Sequence, residues 1–546
     1  MIDLERRKPQ LGAMYLRHLG HMTSRSQSAL VFAAGALAAL LAVVIYGYVF
    51  SNGLCCADDS TNAIVAKNLA LGRGYANSVA FDGPPGLKLF DPGITTGPTL
   101  NIPAAILIRL FGNLPWVPGF VTATASLLLL LVVGVVVSLI VGRSRSAAYV
   151  CVLMFLLYSV TADLHFEQWY ALLGDMPAAL LSIAAAAILA VQPDRRSVIA
   201  AAALVCGLAT MTKALALLSF VPICIWFIWR AIRTKSSRTA VDLLTALAGF
   251  ALPMACFEAW RAISLGFRPY LHNSREFAAF FLSRVKEGPG SDAYISSIGP
   301  IQRFAIHSAE MYQHFGFSSL GLLAVLFAIT ALLHNNLDGA KTRLLFRLLA
   351  GGALTNAAWW LFFSNGWPRY ALIGLCLYFA AISCVVFTTL RWQLIACMTL
   401  LMLVNFSASS HRLLEPPRFV MANKFRYTPR VNNLLKTVAF LKKFEQDRPF
   451  VIGWWGTAVD LEYSMPEVGS FVRSTYIDVN HHKSDLILVR NEMWVKWTKD
   501  EQFALWEQRC TNILLDADPY IVSRCPADAN VATVSGNLLK EQKRLP

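Results

Sequence analysis

Long apolar runs recur along this chain from about residue 30 to about residue 409, with short polar segments between them. About 20 apolar residues in a row are enough to cross the hydrocarbon core of a bilayer as a helix. Only 15% of the residues are charged, whereas soluble globular proteins carry about 25%. The sequence therefore predicts an α-helical polytopic membrane protein.

Eleven of these runs have the length and composition of transmembrane helices. They are residues 30–50, 117–141, 147–162, 175–191, 197–211, 214–230, 241–262, 317–334, 344–363, 370–390 and 393–409. The stretch 197–230 counts as two spans because it is too long for one crossing and Met211–Lys213 supplies a polar break.

Clusters of Arg and Lys fall on every second connection between these runs. They lie in the N-terminal segment, at Arg143 and Arg145, Arg195 and Arg196, Arg230 to Arg238, Lys341 to Arg347, and Arg391. The positive-inside rule then places the N-terminus in the cytoplasm, and an odd number of spans places the C-terminus outside. The first 28 residues hold no apolar core, so no cleavable signal peptide is expected.

This topology divides the chain into three parts: a cytoplasmic segment 1–29, a transmembrane domain 30–409, and an extracytoplasmic domain 410–546. The transmembrane part includes a long first outer loop, 51–116, in which Asp59–Leu71 and Leu100–Phe111 are expected to be helices lying in the membrane interface.

The tail alternates apolar strand-like and helical segments, which predicts a small α/β domain. The expected strands are Phe450–Trp455, Asp485–Arg490 and the segment NILLDADPYIV, and the expected helices are Arg430–Phe444 and 500–508. If the tail faces outside, Cys510 and Cys525 can form a disulfide there.

The net charge and the motif content of the sequence argue against several classes of function. The formal net charge is +15, but basic loops facing the cytoplasm and anionic lipid account for it, and no nucleic-acid partner is expected. The chain holds no Walker motif, so ATP-driven transport has no support. No zinc-ligand spacing is present, and no metal site is expected.

Two adjacent acids, Asp58 and Asp59, follow the first apolar run directly. Carboxylates near lipid are costly to desolvate and often mark functional sites. The alternative is that they begin the next helix, where Asp is a good cap and its charge stabilises the helix dipole. The spacing alone leaves both interpretations open.

Five segments occur in an order that resembles one enzyme superfamily: DDSTNAIVAKNLALGRGYA, TTGPTLNIPAAILIRLFG, LGDMPA, GLATMTKALALL and GWPRYAL. They resemble the GT-C-fold glycosyltransferases that use polyprenyl-phosphate-linked sugars, a group that includes protein O-mannosyltransferases and lipid A aminoarabinose transferases. The tail segment GWWGTAVDLEYSM resembles C-terminal periplasmic domains of bacterial members.

The resemblance implies an inverting transfer of a sugar from a polyprenyl-phosphate donor to an extracytoplasmic glycan, lipid or protein. It implies an enzyme of the bacterial inner membrane, embedded among membrane lipids, with its site on the outer face. No cofactor is required on this interpretation, and a divalent metal has no support in the sequence. The alternative is a secondary transporter or flippase for a lipid or anion, which would show broken helices in symmetric halves.

The resemblance also implies roles for individual residues. Asp58 would act as general base on the acceptor hydroxyl, and Asp59 would orient or support it. Arg369 and Lys213 would stabilise the leaving phosphate, and Tyr370 would touch the donor. Both basic residues can instead snorkel toward lipid headgroups.

A further acidic group is expected in the second outer loop, around the start of the fourth span. Asp175, in LGDMPA, matches an acidic position of the superfamily. Together with His165 and Glu167, it is expected to bind sugar hydroxyls, the acceptor or a divalent ion. The competing interpretation is a solvated acidic loop, which suits Glu167 and the neighbouring Asp163 better, and His165 beside them does not make a metal site because no ligand spacing fixes it.

The topology is directly testable with reporter fusions. Alkaline phosphatase fused after residue 410 should be active, and the same enzyme fused within residues 231–240 should be inactive, because alkaline phosphatase folds only outside the cytoplasm. The reverse pattern would place the acid pair in the cytoplasm and contradict the assignment.

Overall fold

The computed structural model describes residues 24–78, 87–90, 96–164, 166–234, 237–287, 299–309, 337, 339–364, 368–389, 429–444, 450–452, 455–465, 471–473, 486–491, 506–508 and 510–525.

Helices make up most of the described chain. They are α1 (Ser24–Asn52), α2 (Ala57–Ala70), α3 (Pro98–Phe111), α4 (Val117–Val141), α5 (Arg143–Leu164), α6 (Asp175–Val191), α7 (Arg196–Thr212), α8 (Val221–Thr234), α9 (Ser237–Leu265), α10 (Phe267–Glu287), α11 (Ala340–Phe363), α12 (Leu372–Thr389), α13 (Pro429–Leu441) and α14 (Trp455–Ser464). Short 3₁₀ helices at Phe166–Trp169, Ala214–Phe220 and Pro368–Ala371 precede α6, α8 and α12.

Helices occupy nine of the predicted spans, and the other two, 317–334 and 393–409, lie outside the described residues. Among the described residues, four helical stretches are long and apolar enough to cross a membrane: Val31–Asn52, Val117–Val141, Ala214–Arg233 and Arg238–Leu265. The chain is a mostly helical integral membrane protein.

The centre of the helix bundle is α6, which is buried along almost its whole length. It contacts α4, α7, α11 and α12. Its run of alanines suits this position, because small side chains let neighbouring helices approach closely. Between α7 and α9 the approach is closer still, since a Cβ on Gly207 would lie 2.3 Å from the carbonyl oxygen of Phe250.

A layer of charged residues closes one end of this bundle. The buried carboxylate of Asp242, at the start of α9, lies 3.2 Å from Arg196 and 3.4 Å from Arg230. Arg230 also pairs with Asp194 at 2.8 Å. These residues lie in or directly beside the connections that the sequence assigns to the cytoplasm, and the ion pairs hold the ends of α7, α8 and α9 together.

At the opposite end lies the first loop. The sequence predicts that its helix α2 lies in the membrane interface, but the helix is buried inside the protein instead. Every residue from Asp59 to Asn68 is buried. The tail helix α14 covers one side of α2, and α3 packs beside it. By contrast, α3 keeps an exposed apolar stripe, Ile102, Ile106 and Leu110, as expected of an interfacial helix.

The described part of the tail contains a five-stranded mixed sheet. Its strands are β3 (Phe450–Ile452), β4 (Phe471–Arg473), β5 (Leu486–Asn491), β6 (Asn512–Ala517) and β7 (Tyr520–Cys525), while a two-stranded pair, β1 (Ala76–Asn77) with β2 (Lys88–Leu89), lies in the first loop. The strand order is β4-β3-β5-β7-β6, with β3 parallel to β4 and β5, and β7 antiparallel to β5 and β6.

Two details of the tail refine the sequence-based expectation. The strand expected over Phe450–Trp455 ends at Ile452, and Trp455 begins helix α14 instead. Cys510 and Cys525 form a disulfide. The division of the chain at residue 410 stays a prediction, because 390–428 lies outside the described residues.

The first loop and the tail share one apolar core. Ile64 on α2, Ile108 on α3 and Leu172 before α6 pack with side chains of the tail. The tail contributes Val438 from α13, Val459 and Leu461 from α14, Val489 from β5 and Val522 from β7. The tail is therefore built onto the first loop by hydrophobic burial as well as by polar contacts.

Candidate functional site

Four charged side chains from distant parts of the sequence meet at the end of the bundle that carries the first loop. Asp58 lies in the first turn of α2, and Asp175 is the first residue of α6. Lys213 directly follows α7, and Arg369 lies in the 3₁₀ helix before α12. Each therefore lies at or near a helix end, on the side of the bundle that carries the first loop.

Asp58 and Arg369 form a direct ion pair. The guanidinium Nη2 of Arg369 donates to Oδ2 of Asp58, and the two side chains are 16% and 27% exposed. The same Nη2 lies 3.3 Å from the hydroxyl of Tyr370, whose ring centroid is 5.1 Å from the guanidinium carbon. Tyr370 thus fixes the direction of the guanidinium, and the pair remains reachable from outside.

Lys213 and Asp175 form a second, more buried pair, with 3.3 Å between the Lys213 Nζ and an Asp175 carboxylate oxygen. Lys213 Nζ also donates to the carbonyl oxygen of Leu173 at 3.1 Å. Asp175 interacts electrostatically with Arg369 as well, which links the two pairs into one cluster. The positive end of the α6 dipole adds to the stabilisation of the Asp175 carboxylate.

The chain reaches Asp175 through a turn that only a small residue permits. Gly174 has φ +79°, a conformation that L side chains rarely adopt, and a Cβ there would lie 2.8 Å from the carbonyl oxygen of Thr212. The glycine in LGDMPA therefore brings the start of α6 against the end of α7, where Lys213 follows.

Asp59 is buried and does a different job from Asp58. Its Oδ2 accepts a hydrogen bond from the Cys55 backbone amide, and its Oδ1 accepts one from the Leu172 amide, both at 2.8 Å. Burial raises the pKa of the Asp59 carboxyl to about 6, although the two amides act in the opposite direction. Asp59 therefore ties the start of α2 to the segment that leads into α6.

The Leu172 peptide group, directly before the LGDMPA motif, is the point at which two other sequence motifs converge. Its amide donates to Asp59, and its carbonyl oxygen accepts from the Asn62 side chain at 2.7 Å and the Thr96 hydroxyl at 3.0 Å. Sequence reasoning assigned no role to Asn62 or Thr96. Their only signal was that they lie in two of the five segments that carry the resemblance, DDSTNAIVAKNLALGRGYA and TTGPTLNIPAAILIRLFG.

The capping interpretation of the acid pair does not describe the contact that Asp58 makes. The N-cap of α2 is Cys56, and its side chain makes no capping hydrogen bond. Asp58 lies in the first turn, where the helix dipole favours a carboxylate, but its hydrogen-bond partner is Arg369. The structure thus joins the proposed base to the proposed phosphate ligand.

Two candidate site residues from the sequence remain, Glu167 and His165. Glu167 lies in the 3₁₀ helix Phe166–Trp169 and interacts electrostatically with Cys55 and Tyr170. His165 lies outside the described residues. In the part of the chain that the structure describes, no three His, Cys, Asp or Glu side chains cluster as metal ligands would.

No family model matches the chain, and no curated protein matches it. Among solved structures it is similar to ArnT from Cupriavidus metallidurans in the apo state, with 13% identity, a TM-score of 0.39, and coverage of 90% of this chain and 97% of ArnT. ArnT bound to undecaprenyl phosphate gives 12% identity and a TM-score of 0.38, with coverage of 90% and 97%.

It is also similar to the archaeal oligosaccharyltransferase AglB from Archaeoglobus fulgidus in complex with an inhibitory peptide and a dolichol-phosphate. That match has 10% identity and a TM-score of 0.47, and covers 92% of this chain and 75% of AglB. ArnT and AglB are GT-C-fold, polyprenyl-phosphate-dependent glycosyltransferases, the class that the motifs resemble. Matches of this extent do not assign an activity to the chain.

The role of Asp59 predicts a loss of stability when its carboxylate is removed. Asp59→Ala leaves two buried backbone amides unpaired, each costing about 1–3 kcal/mol, so the melting temperature of the purified protein should fall clearly. The exposed Asp516 on β6 provides the control, and Asp516→Ala should be nearly silent. Equal melting temperatures for the two variants would contradict the assignment.

The raised pKa of Asp59 also determines how the difference in stability between wild type and Asp59→Ala depends on pH. Folded Asp59 binds its proton up to about pH 6, whereas the ordinary pKa is 3.8. Between these values the folded state holds more protons than the unfolded state, so the contribution of Asp59 to stability falls as the pH rises through this window. The difference in unfolding free energy between wild type and Asp59→Ala should fall with it and be constant above the window.

Proposed function

We propose that this protein is an inverting membrane glycosyltransferase, which moves a sugar from a polyprenyl-phosphate donor to an extracytoplasmic acceptor. The observation that carries the proposal is the contact of Asp58 with Arg369, beside the Lys213–Asp175 pair, at the end of an apolar helix bundle. Such a transfer needs a base for the acceptor hydroxyl and cations for the departing phosphate, and this cluster has both.

In the proposed reaction, Asp58 accepts the proton of the acceptor hydroxyl as its oxygen attacks the anomeric carbon. The new glycosidic bond forms on the face opposite the lipid phosphate. The bond between the anomeric carbon and the phosphate oxygen breaks, and polyprenyl phosphate leaves with the electron pair. The configuration at the anomeric carbon inverts.

Arg369 suits a shared role in this step. A guanidinium has five N–H donors in a rigid plane, so one edge can hold Asp58 while another binds phosphate oxygens. Tyr370, 3.3 Å from Nη2, orients that plane. Lys213 adds a compact positive charge, held in place by Asp175 and by the Leu173 carbonyl oxygen.

Three observations support a site on the outer face of the membrane. The disulfide between Cys510 and Cys525 is the kind of bond that persists in oxidising compartments such as the bacterial periplasm. The tail, which carries this disulfide, packs on α2, the helix that contains Asp58. The basic residues Arg196 and Arg230 close the opposite end, as the positive-inside rule requires of a cytoplasmic face.

The central test combines a deletion strain with one substitution. Mass spectrometry of surface glycans, lipids and proteins should show the loss of one defined sugar modification in the deletion strain. Wild type should restore it, but Asp58→Asn should not, because an amide cannot accept the proton and loss of a general base costs roughly 10²–10⁴-fold in rate.

The matched control is Asp194→Asn, an acid at the opposite end of the bundle, which should restore the modification. Restoration by Asp58→Asn would contradict the catalytic assignment. An unchanged set of glycans in the deletion strain, with altered lipid distribution across the membrane, would favour the transporter or flippase instead.

Arg369 should matter for donor use more than for folding. A charge-assisted phosphate contact is worth about 1.5–3 kcal/mol, so Arg369→Ala should weaken donor use roughly tenfold or more. Arg369→Lys should recover only part of this loss, since a single ammonium cannot reproduce the paired N–H donors of the planar guanidinium. Wild-type donor kinetics in a well-folded Ala variant would refute the role.

A further inference from the structure

Helix α2 is held on two opposite sides. Successive residues of an α-helix are about 100° apart around its axis, which places Ser60 and Lys67 roughly 160° and 180° from Asp58. Asp58 faces Arg369, while Ser60 and Lys67 both contact the tail helix α14. The tail therefore lies directly behind the proposed base.

The contact of Lys67 with α14 is a fully buried ion pair. The two side chains are 2% and 0% exposed, with 3.3 Å between Lys67 Nζ and Glu462 Oε1. Lys67 also donates to the backbone oxygens of Glu462 and Met465. Glu462 Oε1 accepts a further hydrogen bond from Ser78 at 2.9 Å. The ammonium and the carboxylate are thus both fixed in direction.

A second set of contacts holds the first turn of α2. Asp460 on α14 accepts hydrogen bonds from the Ser60 hydroxyl at 3.1 Å and from the Tyr520 hydroxyl at 3.3 Å. Arg430 on α13 donates to the Cys55 carbonyl oxygen at 3.1 Å, just before α2 begins. The tail thus grips the helix near its start as well as near its end.

We infer that Glu462 and Lys67 are positioning residues for the proposed reaction, and that the tail sets the position of Asp58 by fixing the rotation and height of α2. This inference rests on the proposed function. An apolar pair of similar volume would join two helices about as stably as a buried ion pair. A charged pair adds direction, because it is satisfied in only one register of the two helices.

If the inference is correct, breaking the Lys67–Glu462 pair lowers turnover but leaves donor binding unchanged. Arg369 and Lys213 lie beside α12 and α7, whereas the Lys67–Glu462 pair acts on α2. Loosening α2 should therefore misplace the base without removing the phosphate ligands. A misplacement of about 1 Å can cost about 10²-fold in rate. A tail that served only for stability would lower binding and turnover together.

The experiment compares Glu462→Ala, Glu462→Gln and Glu507→Ala in the full chain, reconstituted in lipid nanodiscs. Glu507 pairs with Arg490 at 2.9 Å within the tail, so Glu507→Ala removes a tail ion pair without touching α2. Glutamine at 462 still accepts from Ser78 and Lys67. Three quantities are measured: hydrogen exchange of the α2 amides, affinity for undecaprenyl phosphate, and turnover with the sugar-loaded lipid recovered from the deletion strain.

We expect Glu462→Ala to speed α2 exchange and lower turnover, each by about tenfold or more, with undecaprenyl phosphate affinity within about twofold of wild type. Glu462→Gln should recover most of both losses, and Glu507→Ala should match wild type. Unchanged α2 exchange in Glu462→Ala, parallel loss of lipid affinity, or an equal effect of Glu507→Ala would overturn the inference.

Failure of the proposed function gives a different result. If the wild-type protein transfers no sugar while Glu462→Ala still frees α2 in the exchange measurement, the hold of the tail on α2 stands and the reaction does not. If Glu462→Ala does not fold, Glu462→Gln decides by its residual defect. Faster α2 exchange and lower turnover than in Glu507→Ala, with wild-type affinity for undecaprenyl phosphate, support the pair, and values equal to those of Glu507→Ala contradict it.

Discussion

The buried carboxylate of Asp59 is the contact on which the rest of the site depends. It accepts hydrogen bonds from the backbone amides of Cys55 and Leu172, two positions that the sequence separates by more than 100 residues. Because a buried amide without a partner is costly, this single side chain fixes where α2 begins relative to α6. Asp58 and Asp175, which flank these anchor points, are thereby placed at the same end of the bundle.

The charged residues follow one physical rule throughout the described chain. A buried charge is tolerated where it is paired and hydrogen-bonded, and in the helix bundle the pairs lie at the two ends of the apolar helices. Arg196, Arg230 and Asp242 close one end, while Asp58 with Arg369 and Lys213 with Asp175 occupy the other. Two of these groups at the second end, Asp58 and Arg369, keep some exposure, which a reacting group needs.

The tail changes how α2 has to be understood. Considered alone, a short helix that carries Asp, Ser, Asn and Lys on several faces is typical of a surface. Here it is buried, because α14 supplies a polar partner for Lys67 and Ser60 and an apolar core for Ile64. The sequence signals for an interfacial helix and for a helix buried under a second polar element are the same, so the interface prediction for α2 was wrong while the one for α3 agrees with its exposed stripe.

The sequence by itself determined the positions of the apolar helices that the structure describes, because hydrophobic length is a local property. It also picked out Asp58, Lys213 and Arg369, since charges beside apolar runs stand out locally. Only the tertiary structure decided that Asp58 meets Arg369, that Asp59 binds the backbone amide of Leu172, and that Lys67 is buried against Glu462. Each of these contacts joins residues 113 to 395 positions apart. Such pairings follow from how helices pack, and no local pattern of residues encodes them.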